Sequence, residues 1–399
     1  MSQSGGQPGK LAILVNSLGG GGAEKVATVL FEEFRKIRPD VVLVCLEKND
    51  VYEVEAGQAH YLSSLSGGRE GGLKKLFSIL TLAFRLRAFV RTNNISLVQS
   101  HLYRSNYVNV MARIFGSKHR IQIVNHGIAS NYLGEGIKGK INLRLVRWLY
   151  PAADELICPS AGMLADLQAN GVRLPAARVI GNPFDIVSIK KQAAEGFEDC
   201  EFQPNPSKRY LICVGRLEKV KRFDDVIRAY QALRSKYSNL ELLVLGSGPE
   251  ENSLRALTTR LGVSEGVNFV GHVKNPFKYI AGADVLVASS RYEGFSNVIV
   301  EALACGTCVA SSDCPSGPRE ILAPGTAHLD SESLPATEPA RYGILFAVGD
   351  VGQIVESVIT ILQNADLAKI YRERGAHRAN EFDVPLVARA YLESGATTS

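Results

Sequence analysis

The sequence predicts an α/β protein made of two doubly wound domains, each with a parallel sheet covered by helices. The chain has 399 residues, which is enough for two or three domains that each bury a core. Short apolar runs alternate with amphipathic stretches, a pattern typical of βαβ units. The alternation pauses once, after residue 185, and then begins again, which indicates a second domain.

The first series of strand-like runs predicts a domain over residues 1–190. Helical patterns such as residues 23–37 separate these runs. The runs are LAILVN (11–16), VVLVCL (41–46), ISLVQS (95–100), RIQIVN (120–125), ELICPS (155–160) and RVIGN (178–182).

Residues 186–208 have no strand pattern and include charged, Pro-rich text, so we expect an interdomain connection there. The second series predicts a domain over residues 206–382, from YLICVGR (210–216), LELLVLG (240–246), VNFVG (267–271), DVLVASS (284–290), TCVASS (307–312) and YGILF (342–346). Residues 351–394 look helical, and Pro385 should set off a last helix, within 383–399, that returns to the first domain. Two such domains facing across a cleft would bind ligands beyond the carboxyl ends of their strands.

The composition is that of an ordinary soluble globular protein, with 46% hydrophobic and 21% charged residues. No apolar run reaches the roughly 18 residues of a membrane span, and residues 1–10 lack the apolar core of a signal peptide. We therefore expect a cytoplasmic protein. Its net charge of +5 is uneven, because residues 1–180 carry 22 Lys and Arg against 13 Asp and Glu. This half favours an anionic partner.

The seven cysteines are odd in number and lie mostly in apolar runs, as expected for reduced thiols in a core. Cys305 and Cys308 form a C-x-x-C pair. Without a second pair or a histidine cluster, this spacing leaves both a packing role and a metal or redox role open.

Four consecutive glycines follow the first predicted strand, in NSLGGGGAEK (16–25). Glycine allows backbone amides to approach an anion, and the next helix start would add its dipole. The segment fits neither G-x-G-x-x-G nor a P-loop. It predicts either a phosphate or sugar contact or simply a tight turn.

Two cations follow the first strand of the second series, in GRLEKVK (215–221). Arg216 and Lys221 would then lie at the carboxyl edge of a sheet, where they could clamp a diphosphate. Solvated surface cations are the alternative.

The segment RYEGFSNVIVEALACG (291–306) contains two acids, Glu293 just before a predicted buried helix and Glu301 within that helix. The free amides near its start, Gly294 to Asn297, could bind anionic oxygens. If all the residues between Glu293 and Glu301 were helical, the two would be separated by roughly 12 Å along the axis. They could therefore hold different parts of an elongated ligand, unless both pair with buried arginines.

In this order, the motifs resemble the retaining GT-B glycosyltransferases of family 4, of the bacterial surface-glycan type. The resemblance covers nearly the whole chain and also includes HG (126–127), NPFD (182–185), LGSGPE (245–250), ALACGTCVASS (302–312) and CPSGPREI (314–321). It implies two Rossmann-like domains that enclose a nucleotide sugar. Cys308 stands where the family usually has proline, which favours its packing role.

The resemblance also implies residue roles, carried over by matching position. The residues that would bind the donor are Gly20, Gly21, Gly22, Gly294, Phe295, Ser296, Asn297 and Glu301, of which Glu301 would hydrogen-bond the ribose. The residues that would take part in catalysis are His126, Arg216, Lys221 and Glu293, and the two cations would neutralise the diphosphate. His101 and Arg104, in QSHLYRSN, are expected to face the acceptor, although a histidine at a strand end is as often structural.

The predicted function is metal-independent, retaining transfer of a hexose or N-acetylhexosamine, from a UDP-sugar by a weak sequence cue, to a lipid-linked or polysaccharide acceptor. We expect no cofactor, no D-x-D metal motif and no nucleic-acid partner. The basic, apolar segments 72–91 and 138–150 suggest peripheral contact with the cytoplasmic face of the inner membrane, or else they simply cover the sheet. A sugar-nucleotide epimerase of the same fold and an inactive sugar-nucleotide-binding partner are the alternatives. The failed glycine fingerprint disfavours a nicotinamide dehydrogenase.

Overall fold

The structure is a computed structural model that describes residues 9–19, 21–49, 58–63, 72–197, 202–326 and 334–394, without the side chains of residues 72–76, 135 and 394. The chain divides into two compact units. Met1–Pro183 and Val384–Ser399 form the first, and Phe184–Asp383 forms the second.

The first unit is built on a parallel seven-stranded sheet with the order β3-β2-β1-β4-β5-β6-β7. Its strands are β1 (Lys10–Val15), β2 (Val41–Cys45), β3 (Ala59–Tyr61), β4 (Ile95–His101), β5 (Arg120–Val124), β6 (Glu155–Cys158) and β7 (Ala176–Val179). The central strands are buried on both faces, which is why they read as continuous apolar runs.

Five helices of the first unit connect these strands: α1 (Gly22–Ile37), α2 (Gly72–Thr92), α3 (Tyr103–Ile114), α4 (Gly136–Leu149) and α5 (Ala161–Ala169). In α1, Val26, Leu30 and Phe34 recur every four residues and are buried against the sheet. This spacing places them on one helix face.

The second unit begins with a helix and has its own seven-stranded sheet, in the order β10-β9-β8-β11-β12-β14-β13. All pairs are parallel except β13 with β14. The strands are β8 (Arg209–Val214), β9 (Leu240–Leu245), β10 (Val267–Gly271), β11 (Val285–Ala288), β12 (Cys308–Ser312), β13 (Glu338–Pro339) and β14 (Ile344–Phe346). The helices are α6 (Ile186–Ala193), α7 (Phe223–Arg234), α8 (Glu251–Arg260), α9 (Phe277–Ala281), α10 (Asn297–Ala304), α11 (Pro318–Leu322), α12 (Val351–Gln363) and α13 (Ala365–Asn380).

A further helix, α14 (Val384–Ser394), returns to the first unit and packs against α1. Pro385 is its second residue, where a missing N–H costs nothing. Val387, Ala388 and Tyr391 are buried among residues of β1 and α1.

The predicted fold class, α/β with two parallel-sheet domains, is confirmed. Most predicted strands lie within one or two residues of the observed ones, but β7 ends at Val179, before most of the predicted RVIGN run. Two short edge strands, β3 and β13, have too few residues to show a periodic pattern. Residues 186–193 of the expected connection form helix α6, because Ile186 and Ile189 are buried in the core of the second unit.

Each sheet reverses its strand order between two parallel strands near its centre, which is where doubly wound folds bind ligands. The reversal lies between β1 and β4 in the first unit and between β8 and β11 in the second. Within the described ranges, no helix combines the length and the apolar character needed to cross a bilayer.

Candidate functional site

The loop after β8 lies at the strand-order reversal of the second sheet and carries Arg216. It approaches the loop after β9 so closely that a Cβ at Gly246, whose φ is +126°, would collide with the carbonyl oxygen of Gly215. Glycine is therefore required at this crossing. The Arg216 side chain is 78% exposed, and its Nη2 lies 2.7 Å from Glu218 Oε1. It is accessible to an anionic ligand.

The structure brings the predicted residues Lys221 and Glu293 together. Lys221 Nζ donates to Glu293 Oε1 at 2.7 Å, and the hydroxyl of Ser290 donates to the same oxygen at 2.6 Å. The hydroxyl of Ser289 donates to the Lys221 carbonyl at 2.7 Å, which ties the loop after β11 to the loop after β8. Glu293 therefore pairs with a lysine and not with a buried arginine.

The start of α10 is a strained, buried turn. Ser296 precedes the helix with φ of +67°, in the left-handed region that non-glycine residues rarely adopt. Its hydroxyl is buried and makes no hydrogen bond in the structure. Buried hydroxyls are nearly always hydrogen-bonded, so this one is a donor that a ligand oxygen could accept from.

The loop after β12 supports this turn from behind. The hydroxyl of Ser316 donates to the carbonyl of Gly294 at 2.7 Å. Gly317 has φ of +89°, and a Cβ there would lie 2.6 Å from the carbonyl oxygen of Phe295. The backbone of residues 294–296 is thus held in one conformation.

Arg319 anchors the supporting loop, a role that sequence analysis did not assign to it. It is 2% exposed, and its guanidinium donates to Asp313 at 2.7 and 3.0 Å, to Glu338 at 2.7 Å and to Thr326. Burial opposes its charge, but the hydrogen bonds to the two carboxylates raise the pKa of Arg319 above its usual value. The CPSGPREI segment was the only sequence signal for it.

Glu301 lies within α10 and is half-buried, whereas its neighbours Val300 and Ala302 are fully buried. The helix is apolar nearly all round, as predicted. Asn297 is its first residue.

The C-x-x-C pair does not behave as a joint thiol site. Cys305 Sγ donates to the Phe277 carbonyl at 3.7 Å, and Cys308 Sγ donates to the Ala368 carbonyl at 3.5 Å. Burial raises the pKa of Cys305 to about 12 and that of Cys308 above its usual value, which disfavours reactive thiolates. In the described part of the chain, no three His, Cys, Asp or Glu side chains converge to hold a metal.

In the first unit, the glycine loop reaches the start of α1. Gly20 lies outside the described residues, Gly21 caps the helix and Gly22 is its first residue. A Cβ at Gly21 would collide with the Glu24 carboxylate, which lies at the helix start. Burial raises the pKa of Glu24. The loop is at least a tight turn, and its predicted ligand contact stays a prediction.

His126 and His101 form a pair at the carboxyl edge of the first sheet. His101 Nδ1 lies 3.0 Å from His126 Nε2, and His101 Nε2 lies 3.0 Å from Gln99 Oε1. Burial lowers the pKa of His126 to about 4, and burial with the neighbouring ring lowers that of His101 well below its usual value. His101 is fully buried and pairs with His126, and its expected contact with the acceptor stays a prediction.

Arg104 lies at the start of α3 and is mostly paired. Its Nη2 lies 2.5 Å from Glu47 Oε1 and 3.2 Å from the Ser78 hydroxyl, and its side chain is 19% exposed. An acceptor contact there would have to share Arg104 with Glu47.

Helix α4 presents an apolar stripe to solvent. Ile137, Ile141 and Trp148 are 79%, 55% and 62% exposed, and their spacing places them on one helix face. Exposed cations flank them at Lys138, Lys140 and Arg144. In α2, Phe77 and Phe84 are also exposed, near the exposed cations Arg85, Arg87 and Arg91, while Lys74 and Lys75 lie among the side chains that are not described.

The chain matches two family models along its length. The one described as "Glycosyltransferase Family 4" matches residues 20–187. The one described as "Glycosyl transferases group 1" matches residues 197–378. Together they span both units.

Two of the proteins similar to this chain are named as bacterial sugar transferases. The N-acetylgalactosamine-N,N'-diacetylbacillosaminyl-diphospho-undecaprenol 4-alpha-N-acetylgalactosaminyltransferase of Campylobacter jejuni is 31% identical over 387 residues, which cover 96% of this chain and 98% of the relative. The lipopolysaccharide 1,6-galactosyltransferase of Salmonella typhimurium is 27% identical over 179 residues, covering 43% and 46% of the two chains.

Solved structures share the fold. HepE of Anabaena, solved in complex with UDP, aligns with a TM-score of 0.75 and 18% identity over 98% of this chain and 100% of its own. Sucrose-phosphate synthase of Thermosynechococcus elongatus aligns with a TM-score of 0.75 and 17% identity over the same shares. At these identities, the likeness establishes the architecture alone.

Proposed function

This chain belongs to the family 4 glycosyltransferases, and on that premise we propose that it transfers a hexose or N-acetylhexosamine from a UDP-sugar to a lipid-linked or polysaccharide acceptor. The transfer retains the anomeric configuration and needs no metal ion. The family predicted from the motifs is confirmed, and the donor, stereochemistry and metal independence belong to the proposal.

The buried, unpaired hydroxyl of Ser296 is the observation that carries the proposal. A buried polar group without a partner costs about 1–3 kcal/mol, and a left-handed serine adds to that cost. Both costs are offset if a phosphate oxygen accepts from this hydroxyl and from the amides that begin α10. Lys221 and Arg216 follow β8, the strand next to β11 in the sheet, and would meet the charge of the same diphosphate.

The chemistry follows from where charge develops. The acceptor hydroxyl attacks the anomeric carbon, the bond from that carbon to the diphosphate oxygen breaks, and the leaving phosphate takes the hydroxyl proton. Negative charge then grows on the phosphate, where fixed cations and helix amides stabilise it. No protein nucleophile is required. Glu293 holds Lys221 in place through the 2.7 Å ion pair.

The proposed acceptor is a lipid-linked glycan, in keeping with the diphospho-undecaprenol in the name of the Campylobacter relative. The apolar stripe of α4 and its flanking cations fit an anionic membrane surface. We assign membrane contact to residues 138–150 and 72–91. The opposite face of α4, with Leu143 and Val146, already covers the sheet, so the stripe is not needed for the core.

Vesicle flotation tests the membrane contact. Wild-type protein should float with phosphatidylglycerol vesicles and much less with phosphatidylcholine vesicles. Ile137→Ser combined with Ile141→Ser should abolish flotation. The control is Val187→Ser, which removes an apolar side chain that is 75% exposed on the second unit and should not change flotation. Equal flotation of the double variant and wild type contradicts the assignment.

Thermal unfolding in EDTA with UDP, GDP, ADP and UDP-sugars tests the donor. A ligand at 100 times its dissociation constant adds about 2.7 kcal/mol to stability, so UDP compounds should raise the melting temperature. Lys221→Ala should lose most of this shift. Lys219→Ala is the matched control, because Lys219 is an exposed lysine in the same 3-10 turn, Lys219–Lys221. A shift with ADP or GDP alone contradicts the UDP assignment, and turnover of a UDP-sugar without acceptor favours an epimerase.

A further inference from the structure

A chain of hydrogen bonds between buried side chains crosses the first sheet and leads to His126. Gln99, Gln122 and Glu155 are register partners on β4, β5 and β6. Gln99 Nε2 donates to Gln122 Oε1, and Gln122 Nε2 donates to Glu155 Oε2 at 2.9 Å. All three are at least 94% buried. Together with His101, they connect His126 to a carboxylate inside the protein.

The hydrogen bonds of Gln122 determine which way each amide group in this chain is oriented. A backbone carbonyl only accepts hydrogen bonds, and the carbonyl oxygen of Tyr391, on α14, lies 3.5 Å from Gln122 Nε2. The amide nitrogen of Gln122 therefore faces Tyr391 and Glu155. Gln122 Oε1 is thereby turned toward Gln99, whose nitrogen must face it. The oxygen of Gln99 then faces His101.

The orientation of the Gln99 amide determines which ring nitrogens of His101 and His126 carry protons. Gln99 Oε1 needs a donor, so His101 Nε2 carries the proton. A neutral imidazole has one donor and one acceptor, and burial keeps His101 neutral. Its Nδ1 therefore accepts, and His126 Nε2 must donate to it. His126 Nδ1 is left as an acceptor with no partner among the described residues.

We propose that Gln99, Gln122 and Glu155 are positioning residues that hold His126 in the tautomer protonated at Nε2, so that its Nδ1 accepts a hydrogen bond from a sugar hydroxyl of the bound substrate. The hydroxyl contact rests on the proposed function, whereas the tautomer does not. In this arrangement His126 recognises a substrate hydroxyl by accepting its hydrogen bond. Because its Nε2 proton is donated to His101, His126 has no proton to donate to the substrate at neutral pH.

A second buried histidine in the same unit shows the contrast. His119 has both ring nitrogens paired inside the protein, with the Ser117 hydroxyl and with Asn109 Oδ1, each at 2.8 Å. Its hydrogen bonds are complete without a ligand. His126 is half-buried, and among the described residues only one of its ring nitrogens is paired, which is the pattern expected of a ligand contact.

Two-bond proton–nitrogen correlation spectra of ¹⁵N-histidine-labelled full-length protein report each tautomer directly. Without ligand, His126 and His101 should both be protonated at Nε2. Gln99→Met removes the amide with little change in volume and should give His126 a mixture of tautomers, with the Nδ1-protonated form rising at least several-fold. Gln122→Met should act the same way if Gln99→Met does not fold.

Asn109→Leu is the matched control, since it removes a buried amide that serves His119. It should alter the His119 signals and leave His126 unchanged. A wild-type His126 protonated at Nδ1 overturns the proposal, as does an unchanged tautomer in both methionine variants. An equal effect of Asn109→Leu also overturns it, because the cause would then be general loosening.

The hydroxyl contact is tested separately with UDP and with UDP-N-acetylgalactosamine. The Nδ1 resonance of His126 should shift with the UDP-sugar and not with UDP. If the UDP-sugar binds by thermal shift but leaves this resonance unmoved, the contact is refuted while the proposed donor stands. If neither compound binds, the proposed donor fails and the contact with it, and the tautomer is still decided by the ligand-free spectrum.

Discussion

Replacing Gly317 by alanine should weaken nucleotide binding, although Gly317 is not itself predicted to contact the ligand. The new Cβ would lie 2.6 Å from the Phe295 carbonyl oxygen, where ordinary contact begins at 3.4 Å. Phe295 must therefore move by about 0.8 Å, the difference between these distances. A shift of this size lengthens a 2.9 Å hydrogen bond from the helix start beyond effective range.

The expected loss follows from one such bond. A hydrogen bond to a charged group contributes roughly 1.5–3 kcal/mol, so UDP affinity should fall by roughly 10- to 150-fold. Titration calorimetry with UDP measures it. The φ of +89° adds about 1–2 kcal/mol of strain in stability alone.

Gly262→Ala provides the control, since Gly262 has φ of +67° but nothing within 4 Å of its Cβ position. It should lose a similar amount of stability in urea unfolding and keep its UDP affinity. If Gly317→Ala binds UDP as tightly as Gly262→Ala does, the turn at residues 294–296 does not hold the diphosphate as we propose.

Three further predictions concern stability and turnover. Arg319→Met should lower the free energy of unfolding in urea by about 3–5 kcal/mol, because Asp313 stays buried without its partner. Arg255→Met, which breaks an exposed helical ion pair, should lower it by at most about 1 kcal/mol. Equal losses would contradict the role of Arg319 as a buried anchor of its loop. Burial lowers the pKa of His119 from 6.5 to about 4, so the unfolded state takes up a proton first as the pH falls. The free energy of unfolding should therefore be highest above pH 6.5 and should drop by up to about 3 kcal/mol toward pH 4. In urea unfolding, His119→Asn should flatten this part of the pH profile, and an unchanged profile would show that the histidine is not the cause. Arg216→Ala should lower the transfer rate at least about 100-fold while changing the free energy of unfolding by less than about 0.5 kcal/mol, and near wild-type turnover would exclude Arg216 from the diphosphate site.

The sequence predicted the elements that are visible as local patterns of apolar and polar residues. Parallel strands buried on both faces read as apolar runs, so the strands and the loops that follow them could be located, including Arg216 and the start of α10. What it missed depends on register between distant segments. The pairing of Lys221 with Glu293 joins residues 72 positions apart. The line from Gln99 to Glu155 exists only because β4, β5 and β6 align these positions, and no local pattern contains that alignment.

The path of the chain has a consequence for how the protein is made. The chain leaves the first unit at Pro183 and returns to it at Val384, so the second unit is one uninterrupted stretch. A ribosome completes that stretch before it delivers α14, although proteins usually finish folding from the amino terminus onward. Until Val387, Ala388 and Tyr391 emerge, the core cluster that they share with β1 and α1 lacks their side chains. The first unit therefore completes its core only after the whole second unit has been synthesised.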